Sequence, residues 1–204
     1  MEEREDIRSY SERMILDDIL DNVILKAYYK KSYDEFINFM VDTKSKEMLI
    51  VVLRTHLYIE RELISMLTET ILDEKVLQGT NFKNKLDLAH SMGMLGDNYN
   101  VLNKINSIRN KYAHYMDYEF DEKEFEDLLS TLSKEDKKAY LEDFVSRRAM
   151  FDDKSIPEFN FKAQLLFTSI WVNITVCRAW AKKSVETKLK DKQIKKVTEA
   201  AKEI

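Results

Sequence analysis

The chain has 204 residues, 44% of them hydrophobic, and a formal net charge of −4. That length and apolar share are enough for one sizeable core. The charge excludes a protein that coats duplex DNA non-specifically, because such affinity is built from many phosphate contacts, but it leaves room for a small basic site on one RNA strand.

Three glycines and one proline are few against the roughly 12% that the two supply in an average protein. Few breakers imply long helices and short turns. Cys177 is the only cysteine, so no intramolecular disulfide is available. It lies in the apolar run from Ile170 to Cys177 and reads as a buried thiol. No basic leader precedes an apolar segment at the N-terminus, and no apolar run approaches the roughly 18 residues of a membrane span. The expected location is the cytoplasm, away from membranes.

In chain order, a first helix is expected over about residues 5–30, with Ile7, Met14, Ile19, Val23 and Ala27 near one face. Ser32-Tyr33-Asp34-Glu35 has the form of a capping box and predicts a short helix from there to about Val41. A long helix over about 45–76 carries Met48, Val52, Ile59, Leu63 and Met66, and ends at the Gly79-Thr80-Asn81 break. Asn81 caps the next helix, with Phe82, Leu86, Ala89 and His90. Gly93 and Gly96 bracket a turn, and Asp97 or Asn98 opens a helix through His114. Asp121-Glu122-Lys123-Glu124 repeats the capping logic for a helix to about Leu132. Another is expected from Ser133 to Met150. Phe151–Phe159, with Pro157, reads as a loop. A last helix contains Phe161, Leu165, Ile170, Trp171, Ile174 and Trp180 and runs into a lysine-rich end, whose simplest reading is a solvated face. No segment alternates as a half-buried strand does. The reading is all-α: one helical domain over 1–204, with a core at about 45–130 and a C-terminal helical extension over about 133–204.

The chemistry concentrates at Ile108-Arg109-Asn110-Lys111-Tyr112-Ala113-His114. The apolar stripe Leu102, Ile105, Ile108, Tyr112 runs into the Arg109 guanidinium. A permanent charge beside a buried stripe costs several kcal/mol unless it is paired or faces a wet cleft, by the roughly several-kcal/mol penalty for buried charge. At about 100° per residue, Asn110 and His114 are neighbours, while Arg109 and His114 diverge by about 140°. A two-fold dimer that packs two such helices together would bring two Arg-His pairs to one cleft.

Arginine and histidine are the groups that cleavage of RNA needs. RNA carries its own nucleophile, the 2′-hydroxyl. The fixed, bidentate guanidinium of Arg109 suits the phosphate. An imidazole, with an ordinary pKa of about 6.5, suits the proton transfers. Asn110 is placed to orient either group. No metal or cofactor is called for, and His56 and His90 show no zinc-type spacing; His56 reads as structural or exposed. Glu60, on the long central helix, is a candidate partner for the Arg109 fork. Tyr112, Tyr115 and Tyr118 have the type and spacing to stack unpaired bases, or simply to fill core.

Arg109 through His114 resembles the Arg-x4-6-His signature of the HEPN superfamily (higher eukaryotes and prokaryotes nucleotide-binding), including the polar residue after the arginine. The wider order also resembles that family, and within it the mannitol operon repressor-like branch: Leu57-Tyr58-Ile59-Glu60-Arg61-Glu62-Leu63 on a long helix, then Phe82 through Ala89, a glycine-containing turn, and the element Asn106 through His114. The likeness covers about residues 45–130. It implies a HEPN-like helical bundle that dimerises through its signature helices. It also implies a metal-independent endoribonuclease acting as a toxin or antiviral effector, with Arg109, Asn110 and His114 as active-site residues, RNA as substrate and a cognate antitoxin or defence partner. The alternative it allows is a non-catalytic regulatory or partner-binding module. In family toxins paired with a nucleotidyltransferase antitoxin, a tyrosine often stands two positions after the histidine; this chain has Met116 there.

Overall fold

The computed structural model describes residues 23–71, 74–150 and 155–200, and every regular element in them is helical. The order is α1 (Val23–Thr43), α2 (Met48–Thr68), α3 (Phe82–Ser91), α4 (Tyr99–His114), α5 (Glu122–Ser130), α6 (Lys134–Met150) and α7 (Glu158–Ala200), with 3-10 turns at Glu74–Leu77 and Gly96–Asn98. The chain divides into two compact units, residues 1–38 and 39–204, and the boundary falls inside α1. Among the described residues no helix is long and apolar enough to cross a membrane.

Local signals set several of these boundaries as expected. Asn81 accepts from the Asn84 amide at 2.9 Å and starts α3. Asp121 accepts from the Glu124 amide at 2.9 Å and starts α5. The Asp136 amide donates to Ser133 Oγ at 3.0 Å ahead of α6. Each bond satisfies one of the orphan N–H groups of a first helical turn. Gly93, at φ 72°, follows α3 in the left-handed conformation that glycine adopts without steric cost.

Two expectations are corrected. No break occurs at Ser32: α1 runs unbroken from Val23 to Thr43. A capping pattern starts a helix only where the preceding chain has left one, and no glycine or proline precedes Ser32 to force that exit. The long helix stops at Thr68 rather than near residue 76. Thr70 Oγ1 donates to the Met66 carbonyl at 2.8 Å and the Leu67 carbonyl at 3.1 Å, taking acceptors at the helix end. The helix expected over 5–30 lies outside the described residues up to position 22, as do 151–154 of the expected loop.

In the unit from Phe39 onward, α2 is the central element. It packs most extensively on α7 and also on α3 and α4, while α6 lies on α7 and α5 bridges α4 and α7. Val52, Ile59, Leu63 and Met66 are wholly buried against Leu86, Leu102, Ile105, Leu166 and Ile170 of the same core. Full burial of each aliphatic side chain is worth about 1.5–3 kcal/mol. Phe39 stacks on Trp171 with ring centroids 4.7 Å apart, and Tyr58 meets Trp171 edge-on. Gln164 Nε2 donates to the Met40 carbonyl at 2.7 Å and to Thr43 Oγ1 at 3.0 Å, fixing the end of α1 to α7.

A buried charge cluster ties α2 to α7. Glu62 is 1% exposed and takes Arg178 Nη1 at 3.1 Å and Arg61 Nη2 at 3.3 Å, while Arg178 Nη2 reaches Glu69 at 2.6 Å. Two guanidiniums satisfy a carboxylate that could not otherwise remain charged in the core.

Candidate functional site

Helix α4 presents two different faces. Val101, Leu102, Ile105 and Ile108 bury one of them. That anchorage holds the polar face, with Asn106, Arg109 and Asn110, at a fixed place on the surface. Arg109 is half-buried, and its Nη1 donates to the Asn110 side-chain oxygen at 3.1 Å. Among the described residues no carboxylate pairs with it. Its planar fork is thus not committed to a protein carboxylate and has the geometry to bind an anion from outside.

Ionisable groups on α2 and α3 share the electrostatic surroundings of Arg109. His56 is 5% exposed; its Nε2 lies 3.3 Å from Asn106 Oδ1, and its ring packs on Phe82 with centroids 4.3 Å apart. Burial holds the His56 imidazole below its ordinary pKa. The Asn106 bond and Glu60 oppose that, while Arg109 and Lys85 add to it. The sequence offers Glu60 as a candidate partner for Arg109, or as part of a solvated helix face. The structure instead gives the Glu60 carboxylate to Lys85 at 2.8 Å. Lys85 is itself almost buried and reaches Glu60 from α3, a pairing across 25 residues that no local pattern announces. Glu60 is therefore a neighbour of the site and not the holder of the Arg109 fork.

His114 is exposed on the last turn of α4, beyond which the Tyr115 amide closes the helix onto the Lys111 carbonyl at 2.9 Å. It stands five positions after Arg109 along the helix, which is about 140° of rotation and about 7.5 Å of rise. One chain thus holds the guanidinium and the imidazole on diverging faces of a single helix. Tyr115 is exposed, and Met116 after it is fully so. Tyr112 is half-buried, its hydroxyl accepts from the Phe120 amide at 3.0 Å, and its ring meets Tyr118 edge-on at 4.7 Å. Burial pushes its phenol above the ordinary pKa. Tyr112 is a strut for the loop after α4, whereas the Tyr115 ring is exposed to solvent.

A cleft of about 520 Å³ lies on another side of α4, lined by Lys104, Lys111, Asp117, Tyr118, Glu124 and Asp127 among others. Its size does not make it the anion site. Lys104 lies 3.4 Å from Glu124 and 3.5 Å from Asp127, and Lys111 also pairs with Glu124. The lysines are neutralised, and the surplus acids repel a polyanion.

Cys177 is half-buried, and burial pushes its thiol above the ordinary pKa, which suits a packing role. Among the described residues no group of three or more His, Cys, Asp or Glu side chains is disposed to hold a metal ion. The residues that sequence reasoning missed are Asn106 as a partner of His56, and Lys85. The available signal was periodic: His56 and Glu60 are one turn apart on α2, and Asn106 and Asn110 are one turn apart on α4. Comparison with known proteins finds no matching family model, no matching curated protein and no matching solved structure.

Proposed function

We propose that the chain is a HEPN-type endoribonuclease that acts as a homodimer, in a toxin or antiviral role. The observation that carries the reading is Arg109: half-buried, without a carboxylate partner among the described residues, and on the same helix as Asn110 and an exposed His114. In the reaction the 2′-hydroxyl oxygen attacks the adjacent phosphorus, the P–O5′ bond breaks, and a 2′,3′-cyclic phosphate and a 5′-hydroxyl result. Arg109 holds the phosphate and the charge of the crowded intermediate. His114 moves a proton, either from the attacking hydroxyl or to the leaving oxygen. Asn110, already bonded to Arg109, keeps the guanidinium in position.

Because the two key side chains diverge within one helix, the working site is a shared one, with Arg109 of one protomer and His114 of its partner. Exposed Leu57 and Ile64 on α2, and Tyr115 and Met116 after α4, offer apolar surface for that association. The same divergence favours the second reading, a binding module that takes RNA or a partner protein without cutting it.

His114→Ala separates the two. Purified protein is incubated with transfer and messenger RNA in the presence of a chelator, and the ends are mapped. The wild type should yield cyclic-phosphate ends and the variant none, with helicity and oligomeric state unchanged. Equal cleavage by the variant would remove His114 from the reaction and the nuclease reading with it.

A further inference from the structure

The polar face of α4 contains a second group poised toward an anion. Asn106 stands one helical turn before Arg109 and Asn110, on the same side of the helix. Its Oδ1 is taken by His56 Nε2. Its Nδ2 has no protein partner among the described residues, and the residue is half-exposed to solvent. An asparagine amide on a surface is ordinarily free to rotate and present either oxygen or nitrogen. Here it is not free. His56 is 5% exposed and clamped on Phe82, and its Nε2 faces the amide oxygen at 3.3 Å, to which it donates as the Nε2–H tautomer. The nitrogen is thereby turned away from α2.

The charge count around this point is specific. Lys85 and Glu60 form an ion pair at 2.8 Å and cancel. Arg109 has no carboxylate partner among the described residues and stands one helical turn from an amide whose two hydrogens are unused. One phosphodiester brings one negative charge and two non-bridging oxygens, so it matches both the charge and the donors.

We propose that Asn106 is a second donor to the phosphodiester that Arg109 binds, and that His56 is the positioning residue that fixes the direction of its amide. The inference rests on the reading that this face takes RNA. It also couples binding to protonation. His56 faces Glu60 on its own helix, Lys85 and Phe82 on α3, and Asn106 and Arg109 on α4. An anion on Arg109 cancels part of the guanidinium's push on the imidazole. Binding therefore raises the His56 pKa and, by reciprocity, tightens as pH falls.

The probe is a short 2′-O-methyl oligoribonucleotide of mixed sequence, which lacks the free nucleophile and so reads binding alone. Its affinity for the full-length wild type is compared with Asn106→Ala, Asn106→Asp, His56→Gln, His56→Ala and Arg109→Ala. Loss of one hydrogen bond to an anion predicts about tenfold weaker binding by Asn106→Ala, and weaker still by Asn106→Asp, which turns a carboxylate toward the phosphate. His56→Ala should fall to the level of Asn106→Ala. His56→Gln, which keeps a neutral donor to the amide, should stay within about threefold of the wild type (a loss well below one full hydrogen bond) and lose the acid-side gain in affinity. His56 is one of three histidines, so its imidazole resonance is assignable by comparison with His56→Gln. In the wild type that resonance should shift toward a higher pKa on saturation, a readout that survives if an Asn106 variant fails to fold.

Asn106→Ala binding as tightly as the wild type, while Arg109→Ala loses affinity, would overturn the inference and leave the RNA reading standing. A His56 resonance unmoved by saturating oligonucleotide would overturn it as well. A wild type that binds no oligonucleotide overturns both. Tight binding that needs Asn106, with no cleavage of the matching RNA, upholds the inference and removes only the nuclease reading.

Discussion

His56 is where the charge balance of the site becomes visible in stability. Burial depresses its folded-state pKa below the ordinary value, with Arg109 and Lys85 contributing. The fold therefore favours the neutral ring. That contribution is fully present above the unfolded value, about 6.5, and is lost as pH falls through the lower folded value, because the unfolded chain binds the extra proton. Urea midpoints should fall between about pH 7 and pH 5 by more in the wild type than in His56→Gln, whose side chain cannot charge. Identical slopes in the two proteins would show that the imidazole is not held neutral. That Arg109, Asn110 and His114 share one helix was legible in the sequence because they lie within six residues of each other. The Asn106–His56 bond was not, because it joins residues 50 positions apart, and only packing of α2 on α4 decides which turns meet. The same holds for Glu60, whose partner Lys85 arrives from a third helix.

At the scale of elements, the caps at Asn81, Asp121 and Ser133 were legible because each is a bond across three residues. The ends that were misread, at Ser32 and after Thr68, depend on whether neighbouring chain supports another turn, and periodicity alone overextends or divides such helices. The packing of α2 on α7 has a feature that no pattern shows: an acid at a core position. Glu62 is buried and pairs with Arg178 of α7 and with Arg61. Breaking such a pair by removing one partner costs about 3–5 kcal/mol. Arg178→Ala should lower the unfolding free energy by that order, whereas Glu62→Leu with Arg178→Met together should recover most of it. Chemical denaturation of the three proteins measures both. A single variant as stable as the wild type would mean that the ion pair does not hold these helices together.

For the molecule as a whole, the proposed nuclease function turns on how a guanidinium and an imidazole on diverging faces of α4 would act on one phosphate. One chain positions Arg109 through the buried stripe from Val101 to Ile108 and leaves His114 on the exposed last turn. In the proposed homodimer, a two-fold axis would make the two faces meet, and each of the two equivalent sites would draw one group from each protomer. The composition made an all-α protein legible, since few glycines and one proline leave little but helix. The proposed chain sharing has only the divergence of about 140° as its trace in the sequence. It is testable by mixing Arg109→Ala with His114→Ala, both inactive alone, after dissociation and reassociation. In mixed dimers one site carries both substitutions and the other carries neither. If subunits pair at random, roughly a quarter of wild-type cleavage returns, since about half of the dimers are mixed and each has one intact site. No recovery, with mixed dimers shown to form, would contradict a site built from Arg109 of one protomer and His114 of the other.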